Sequence, residues 1–86
     1  MPIVSAFFGI IIRMYFDDHN PPHFHAEHQG QMAVVDFDGR FLAGEIDSST
    51  ARKLIRQWAR LRRAELETNW SKAKQLKTLS LIPPLE

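Results

Sequence analysis

All four histidines of the chain lie within one stretch, DDHNPPHFHAEHQG, at residues 17–30. Imidazole binds transition metals and also titrates near neutral pH, so such a stretch suits a metal site or acid–base catalysis. A histidine beside Pro-Pro is equally typical of a turn whose ring hydrogen-bonds the backbone. The residue types alone leave these three interpretations open.

The spacing selects a subset of the stretch for a metal site. In an extended segment alternate side chains share a face, about 6.5–7 Å apart, which groups His23, His25 and Glu27. Asp17 and Asp18 lie just across the turn and are available as further ligands. Two imidazoles with carboxylates suit a divalent transition metal such as zinc. The site expected from the spacing is therefore His23, His25, Glu27 and Asp17.

Metal-free catalysis is the alternative for the same residues. His23 and His25 would act as base and acid in cleavage of RNA, where the neighbouring 2′-hydroxyl is the nucleophile. Arg13, Arg40 or Tyr15 would then steady the phosphate. The chain is on this interpretation a small ribonuclease, whereas with a metal it is a metal-dependent hydrolase.

The elements that position these residues follow from periodicity and turn signals. Alternating and β-branched residues predict strands at 9–17, 23–28, 31–37 and 40–46. Asp38-Gly39 is typical of a type I′ hairpin turn, and Gln29-Gly30 also turns the chain. The prediction is a four-stranded antiparallel meander over about residues 9–46.

A helical period begins near Ala51, after a candidate cap at Asp47, Ser48 or Ser49. Trp58 lies in the middle of the apolar sector and is predicted to be core. The opposite side of the helix is basic and carries Arg52, Lys53, Arg56, Arg60 and Arg63. The apolar register fails afterwards, which predicts a break between residues 62 and 66 and a second helix to about residue 76.

Strands followed by helices predict a two-layer α+β domain over residues 1–86. The meander packs against a long or bent helix pair at about 49–76, and residues 77–86 form an apolar extended tail. A core of this size leaves a thin margin of stability, which favours a protein partner or a homo-oligomer.

The charge is small in total and uneven in distribution. The net charge of +1 combines −5 over residues 1–50 with +6 over residues 51–86. The basic helix face is typical either of a solvated surface or of one that binds nucleic acid. Cysteine is absent, which excludes thiolate metal sites and disulfides. The longest apolar run is too short to span a bilayer, so we expect a cytoplasmic protein with no membrane contact.

The chain resembles a known family in its most distinctive segments. These are FFGIIIRMYFDDHNPPHFHAEHQG (7–30), the helix around Trp58, NW (69–70) and the closing I-x-P-L (82–85). They are similar to domain-of-unknown-function family 4160, small prokaryotic proteins often encoded beside a family 2442 protein. That pairing implies a toxin–antitoxin-like module with a small protein partner. The resemblance carries over no catalytic residue.

Overall fold

The computed structural model describes residues 2–86. Five strands come first and two helices follow: β1 Ile3–Phe7, β2 Ile10–Arg13, β3 His23–His28, β4 Gln31–Asp36, β5 Phe41–Gly44, α1 Ser49–Leu61 and α2 Arg63–Lys74. The strands form a single antiparallel sheet in the order β1-β2-β3-β4-β5. The predicted α+β two-layer class is confirmed, with five strands in place of the predicted four.

β1 is the strand that the sequence prediction missed. Phe8 and Gly9 have φ angles of 48° and 75°, and this pair of positive values makes a two-residue hairpin turn between β1 and β2. Gln29 and Gly30, at 49° and 80°, form the equivalent turn between β3 and β4. A glycine between two apolar runs was the signal for the first hairpin, hidden by the unbroken hydrophobicity around it.

The hairpin at Asp38-Gly39 is present, but the predicted type I′ turn is wrong. Only Gly39 of the pair has a positive φ, 87°. The loop is longer than two residues and is organised by Asp36, whose Oδ1 accepts from the backbone N–H of Asp38 at 2.9 Å and of Arg40 at 2.8 Å. An aspartate that bonds the backbone two residues onward provides an alternative to the tight turn.

The core lies between the sheet and the two helices. Trp58 is fully buried, as predicted, and its ring lies 5.5 Å from that of Phe7 and 5.4 Å from that of Phe24. Phe24 and Ala26 of β3 also lie in this core. By alternation His25 and Glu27 lie on the opposite face of β3, whereas His23, at the start of the strand, contacts Trp70 of α2.

The helix pair bends where the apolar register changes. α1 begins after Ser48, whose Oγ accepts from the N–H of Ala51 at 3.1 Å. Arg62, with φ of −108°, separates α1 from α2 and confirms the predicted break. The second register is buried through Leu66, Asn69 and Ala73. Within residues 2–86, neither helix has the length and apolarity that crossing a membrane requires.

The tail after α2 is extended, and hydrogen bonds to its backbone hold it against β1 and the helices. The N–H of Ile82 donates to the carbonyl of Val4 in β1 at 2.7 Å. The side-chain amide of Asn69 donates to the carbonyl of Ser80 at 2.8 Å and accepts from its N–H at 2.9 Å. The indole N–H of Trp58 donates to a proline carbonyl of the tail at 2.9 Å.

Candidate functional site

The histidines of the site are positioned by the register of β3. Because Phe24 and Ala26 enter the core, alternation places His23 and His25 together on the opposite face of β3, with His23 at the start of the strand and in contact with α2. His25 pairs with Arg13 of β2 and with Val34 of β4, so it lies in the middle of three strands. A central strand holds its side chains more rigidly than a loop does, which favours a preorganised site.

Asp18 reaches these histidines from the loop between β2 and β3. β2 ends at Arg13, four residues before the predicted end, and the loop then crosses to the end of α2. There the N–H of Asp17 donates to the carbonyl of Ala73 at 3.1 Å, and the Lys74 ammonium donates to the carbonyl of Asp18. These two contacts turn the Asp18 carboxylate back towards β3.

Three ligand-type side chains therefore converge. Oδ2 of Asp18 lies 2.8 Å from Nε2 of His23 and 3.4 Å from Nε2 of His25. One ligand atom of each of the three residues lies within 4.8 Å of the other two. A tetrahedral zinc ion with bonds of about 2.0–2.1 Å separates its ligand atoms by about 3.3 Å, which lies within the range of separations in this cluster. We call Asp18, His23 and His25 the Asp-His-His cluster.

The hydrogen bond at Nδ1 of His23 determines what its second ring nitrogen, Nε2, can bind. Nδ1 lies 2.7 Å from the carbonyl oxygen of Pro21, and because a carbonyl only accepts, Nδ1 carries a proton. In the neutral ring Nε2 then has a lone pair, which faces a carboxylate oxygen of Asp18 at 2.8 Å. Two acceptors at that distance require either a second proton on the ring or a cation between them. A backbone carbonyl that accepts from one ring nitrogen is also the usual partner of a metal-binding histidine.

Aromatic rings hold both imidazoles in place. The ring of Trp70 in α2 lies 5.4 Å from that of His23, and the ring of Tyr15 packs against His25 edge-on at 4.4 Å. His23 is 7% exposed, and the side chain of His25 is 23% exposed. Solvent therefore reaches the cluster from the side of His25. Trp70 also packs against the core.

The environment of Asp18 favours its charged form. Burial acts to raise the pKa of Asp18, but the N–H of His19, the hydrogen bond from His25 and the attraction of His23 together lower it below its ordinary value. Asp18 is thus a carboxylate at neutral pH, which is the form that binds a cation.

The other residues of the expected metal site lie outside the cluster. Glu27 shares the face of His23 and His25, but its Oε1 accepts from Arg13 across the strand pair at 2.6 Å. Asp17 is exposed, and Asp18 reaches the histidines in its place. The sequence-based prediction selected Asp17, whereas the position of Asp18 depends on the contact of the loop with α2, which the sequence does not show.

The remaining histidines also lie outside the cluster. The side chain of His19 is 96% exposed, and its Nδ1 lies 3.6 Å from Oδ1 of Asp18. His28 ends β3 on the other face of the strand from His25, opposite Ile10. Neither His19 nor His28 belongs to the set of mutually close ligand atoms within residues 2–86.

The basic residues that the sequence predicted to bind nucleic acid divide into two groups in the structure. Arg52, Lys53, Arg56 and Arg60 line one open groove of about 700 Å³. Arg63 lies beyond the helix break, where its guanidinium pairs with Asp38 and with Glu67. The structure therefore separates Arg63 from the other four.

The fold and the cluster define a small α+β protein with a two-histidine, one-carboxylate site. The model of the family described as Domain of unknown function (DUF4160) matches residues 9–71, which include the cluster and most of both helices. The chain belongs to this family. Comparisons with the curated proteins and with the solved structures give no match.

Proposed function

We propose that the Asp-His-His cluster binds one divalent transition metal ion, with zinc as the best fit to its ligand set. The observation that carries the proposal is the 2.8 Å approach of Nε2 of His23 to Oδ2 of Asp18, two atoms that both accept hydrogen bonds when the ring is neutral. A cation between them satisfies both groups while Nδ1 keeps its bond to the Pro21 carbonyl. Two imidazoles and one carboxylate are a ligand set of catalytic zinc sites, which leave a position for water.

The chemistry that follows is metal-assisted hydrolysis of a phosphate ester. A zinc ion held by Asp18, His23 and His25 would lower the pKa of a bound water and so supply a hydroxide nucleophile. The new P–O bond would form as the bond to the ester oxygen breaks, and the departing oxygen would take a proton from solvent. Arg13 lies opposite His25 in the strand register, and its guanidinium, which uses Nη1 to pair with Glu27, has further N–H donors for an anionic substrate such as RNA.

Zinc binding is measured with untagged protein that has been stripped with EDTA and dialysed. Competition against a chromogenic chelator should give about one zinc per chain. Asp18→Asn and His25→Gln should each weaken binding by at least about tenfold, because each removes a ligand.

Two controls match these variants closely. Glu27→Gln removes a carboxylate from the same face, and His28→Gln removes an imidazole from the same strand. Both should bind zinc within about twofold of the unaltered protein. A protein that binds no zinc, or controls that lose as much affinity as the ligand variants, would overturn the proposal.

Hydrolysis is then tested on a fluorescent RNA oligonucleotide with and without EDTA. Cleavage that EDTA abolishes and zinc restores, and that Asp18→Asn lacks, supports the metal mechanism. Cleavage that persists in EDTA and requires both His23 and His25 supports the acid–base mechanism instead. RNA left intact by a fully zinc-loaded protein would reject RNA as the substrate.

A second proposal is that the protein is one component of a toxin–antitoxin-like module, acting by binding a small protein partner and nucleic acid. The supporting observation is an open apolar groove of about 450 Å³ between β1 and the tail, lined by residues 3–6 and 81–84. Ile3 and Leu81 expose 46% and 81% of their surface at this groove. Exposed apolar surface beside an edge strand favours a protein partner.

Co-expression with the family 2442 protein that the resemblance places in a neighbouring gene tests the module. The expected result is a complex on size-exclusion chromatography that Leu81→Glu disrupts, whereas Leu76→Glu, an exposed leucine away from the groove, leaves it intact. A homo-oligomer disrupted by Leu81→Glu would assign the groove to a second copy. A monomer that elutes apart from the neighbouring protein would reject the module.

A further inference from the structure

The groove on α1 is formed by four cations with no acidic residue among its lining side chains. It is about 700 Å³ in volume and is lined by Ser49, Arg52, Lys53, Arg56, Gln57 and Arg60. The whole of α1, STARKLIRQWARL, contains no aspartate or glutamate. Such a concentration of one sign of charge attracts a polyanion over distances of about 8–10 Å at moderate salt.

Two of the arginines are held in place without being neutralised. Nη1 of Arg52 donates to the carbonyls of Ile46 at 2.6 Å and Asp47 at 2.8 Å. Arg56 donates through Nε to a loop carbonyl at 3.3 Å, with its guanidinium carbon 5.2 Å from the centre of the Phe41 ring. Carbonyls and rings orient these side chains but leave their full charge, so binding costs less side-chain entropy.

The other two cations project freely into solvent. Lys53 and Arg60 are exposed, and within residues 2–86 neither forms an ion pair. Arg63 differs, because Asp38 and Glu67 both pair with it and leave a local excess of negative charge. The positive surface therefore ends at Arg60.

We infer that this groove binds the phosphate backbone of a double-helical nucleic acid without reading its sequence. From Arg52 to Arg60 the helix advances about 12 Å, a distance that along the axis of a duplex spans between three and four phosphates of each strand. Three of the four cations are arginines, whose planar fork matches phosphate oxygens.

The composition of the groove favours a duplex over a single strand. Proteins that bind single strands stack bases on exposed aromatic rings. The lining residues of this groove include no aromatic side chain. A surface with charge but no stacking platform suits the regular phosphate array of a double helix.

This binding is separate from the proposed metal chemistry. The groove and the Asp-His-His cluster have no residue in common. The inference rests on the proposed module for its biological role alone. A titration of the isolated chain in EDTA therefore tests the groove, whatever the outcome of the zinc and partner experiments.

The test is fluorescence anisotropy with a labelled 20-base-pair DNA duplex and an RNA duplex of the same sequence, in EDTA, between 50 and 200 mM KCl. Four phosphate contacts predict a slope of about −3.5 in a plot of log K against log salt, equivalent to a loss of about 100-fold over that range. A duplex of scrambled sequence should bind within about twofold. Single-stranded DNA and polyglutamate of equal length should bind at least about tenfold more weakly.

The variants separate a local surface from the effect of net charge. Lys53→Ala with Arg60→Ala should reduce the salt slope by about 2 and weaken binding at least about tenfold at 100 mM KCl. Arg63→Ala with Lys77→Ala removes the same number of charges outside the groove and should change affinity by less than about threefold. Circular dichroism checks that both variants are folded.

Three outcomes would overturn the inference. The first is no duplex binding at 50 mM KCl. The second is equal losses in the two double variants, which would mean attraction by net charge alone. The third is tighter binding of the single strand or of polyglutamate, which would assign the groove to a different class of partner.

Discussion

The side chain of Asn69 fastens the tail to α2, and its replacement by alanine tests how strongly. Asn69 is 1% exposed, and its amide makes both hydrogen bonds, at 2.8 and 2.9 Å, to the backbone of Ser80. Each bond contributes about 0.5–1.5 kcal/mol net. The lost amide volume adds a small cavity, so Asn69→Ala should lower the free energy of unfolding by about 2–3 kcal/mol.

Urea denaturation followed by circular dichroism measures this loss. With a slope of about 1–2 kcal/mol per molar urea, the midpoint should fall by about 1–3 M. Asn69→Asp should cost at least as much, because the carboxylate keeps the acceptor for the Ser80 N–H but meets the Ser80 carbonyl without a donor.

The matched control is Ser80→Ala, which retains both backbone groups and loses only an exposed contact with the Lys72 ammonium. This change should alter the free energy of unfolding by less than about 0.5 kcal/mol. The reasoning is refuted if Asn69→Ala costs less than about 0.5 kcal/mol, or if Ser80→Ala costs as much as Asn69→Ala.

Three further predictions concern the core, the sheet edge and the site. Trp58→Phe keeps a buried ring but loses the indole bond to the tail, and should cost about 2–3 kcal/mol by urea denaturation. Gly44→Ala should cost at least about 2 kcal/mol, because φ is +73° and the new Cβ would overlap the carbonyl oxygen of Met32. The control is Gly30→Ala, which has a similar φ but open space around the new Cβ and should cost about 1 kcal/mol in the same assay. Folding lowers the pKa of Asp18, so its charged carboxylate stabilises the folded protein. In EDTA, Asp18→Asn should therefore remove the whole of this stability above the ordinary carboxyl pKa. The difference in stability between the two proteins should vanish as the pH falls through the lowered pKa of Asp18. Thermal unfolding from pH 7 to pH 3 measures that difference, and a difference that grows on acidification would contradict it.

Sequence periodicity correctly predicted the features that depend on one strand or one helix alone. The bounds of β3 and the face shared by His23 and His25 follow from alternation along one strand. The helix break near Arg62 follows from a change of apolar register within the chain. The core position of Trp58 follows from its place in the apolar sector of α1.

Local signals were insufficient at the turns. Gly9 lies in a nearly unbroken apolar run, so no polar turn residue marked the hairpin between β1 and β2. Asp38-Gly39 carries the stronger hairpin signal, yet the carboxylate of Asp36 organises a longer loop there. Side-chain hydrogen bonds to the backbone compete with the preferred two-residue turn and change its type.

The sequence by itself determined the strand-then-helix order, the faces of β3 and α1, and the histidines available for a site. Only the tertiary structure decided which partners those side chains meet. Arg13 engages Glu27 across the strand pair, and α2 holds the loop so that Asp18 faces the histidines. These choices join residues up to 56 positions apart, as between Asp18 and Lys74. A periodic pattern assigns a side chain to a face of its own element, whereas an ion pair or a ligand set forms between elements whose relative placement depends on packing of the whole core.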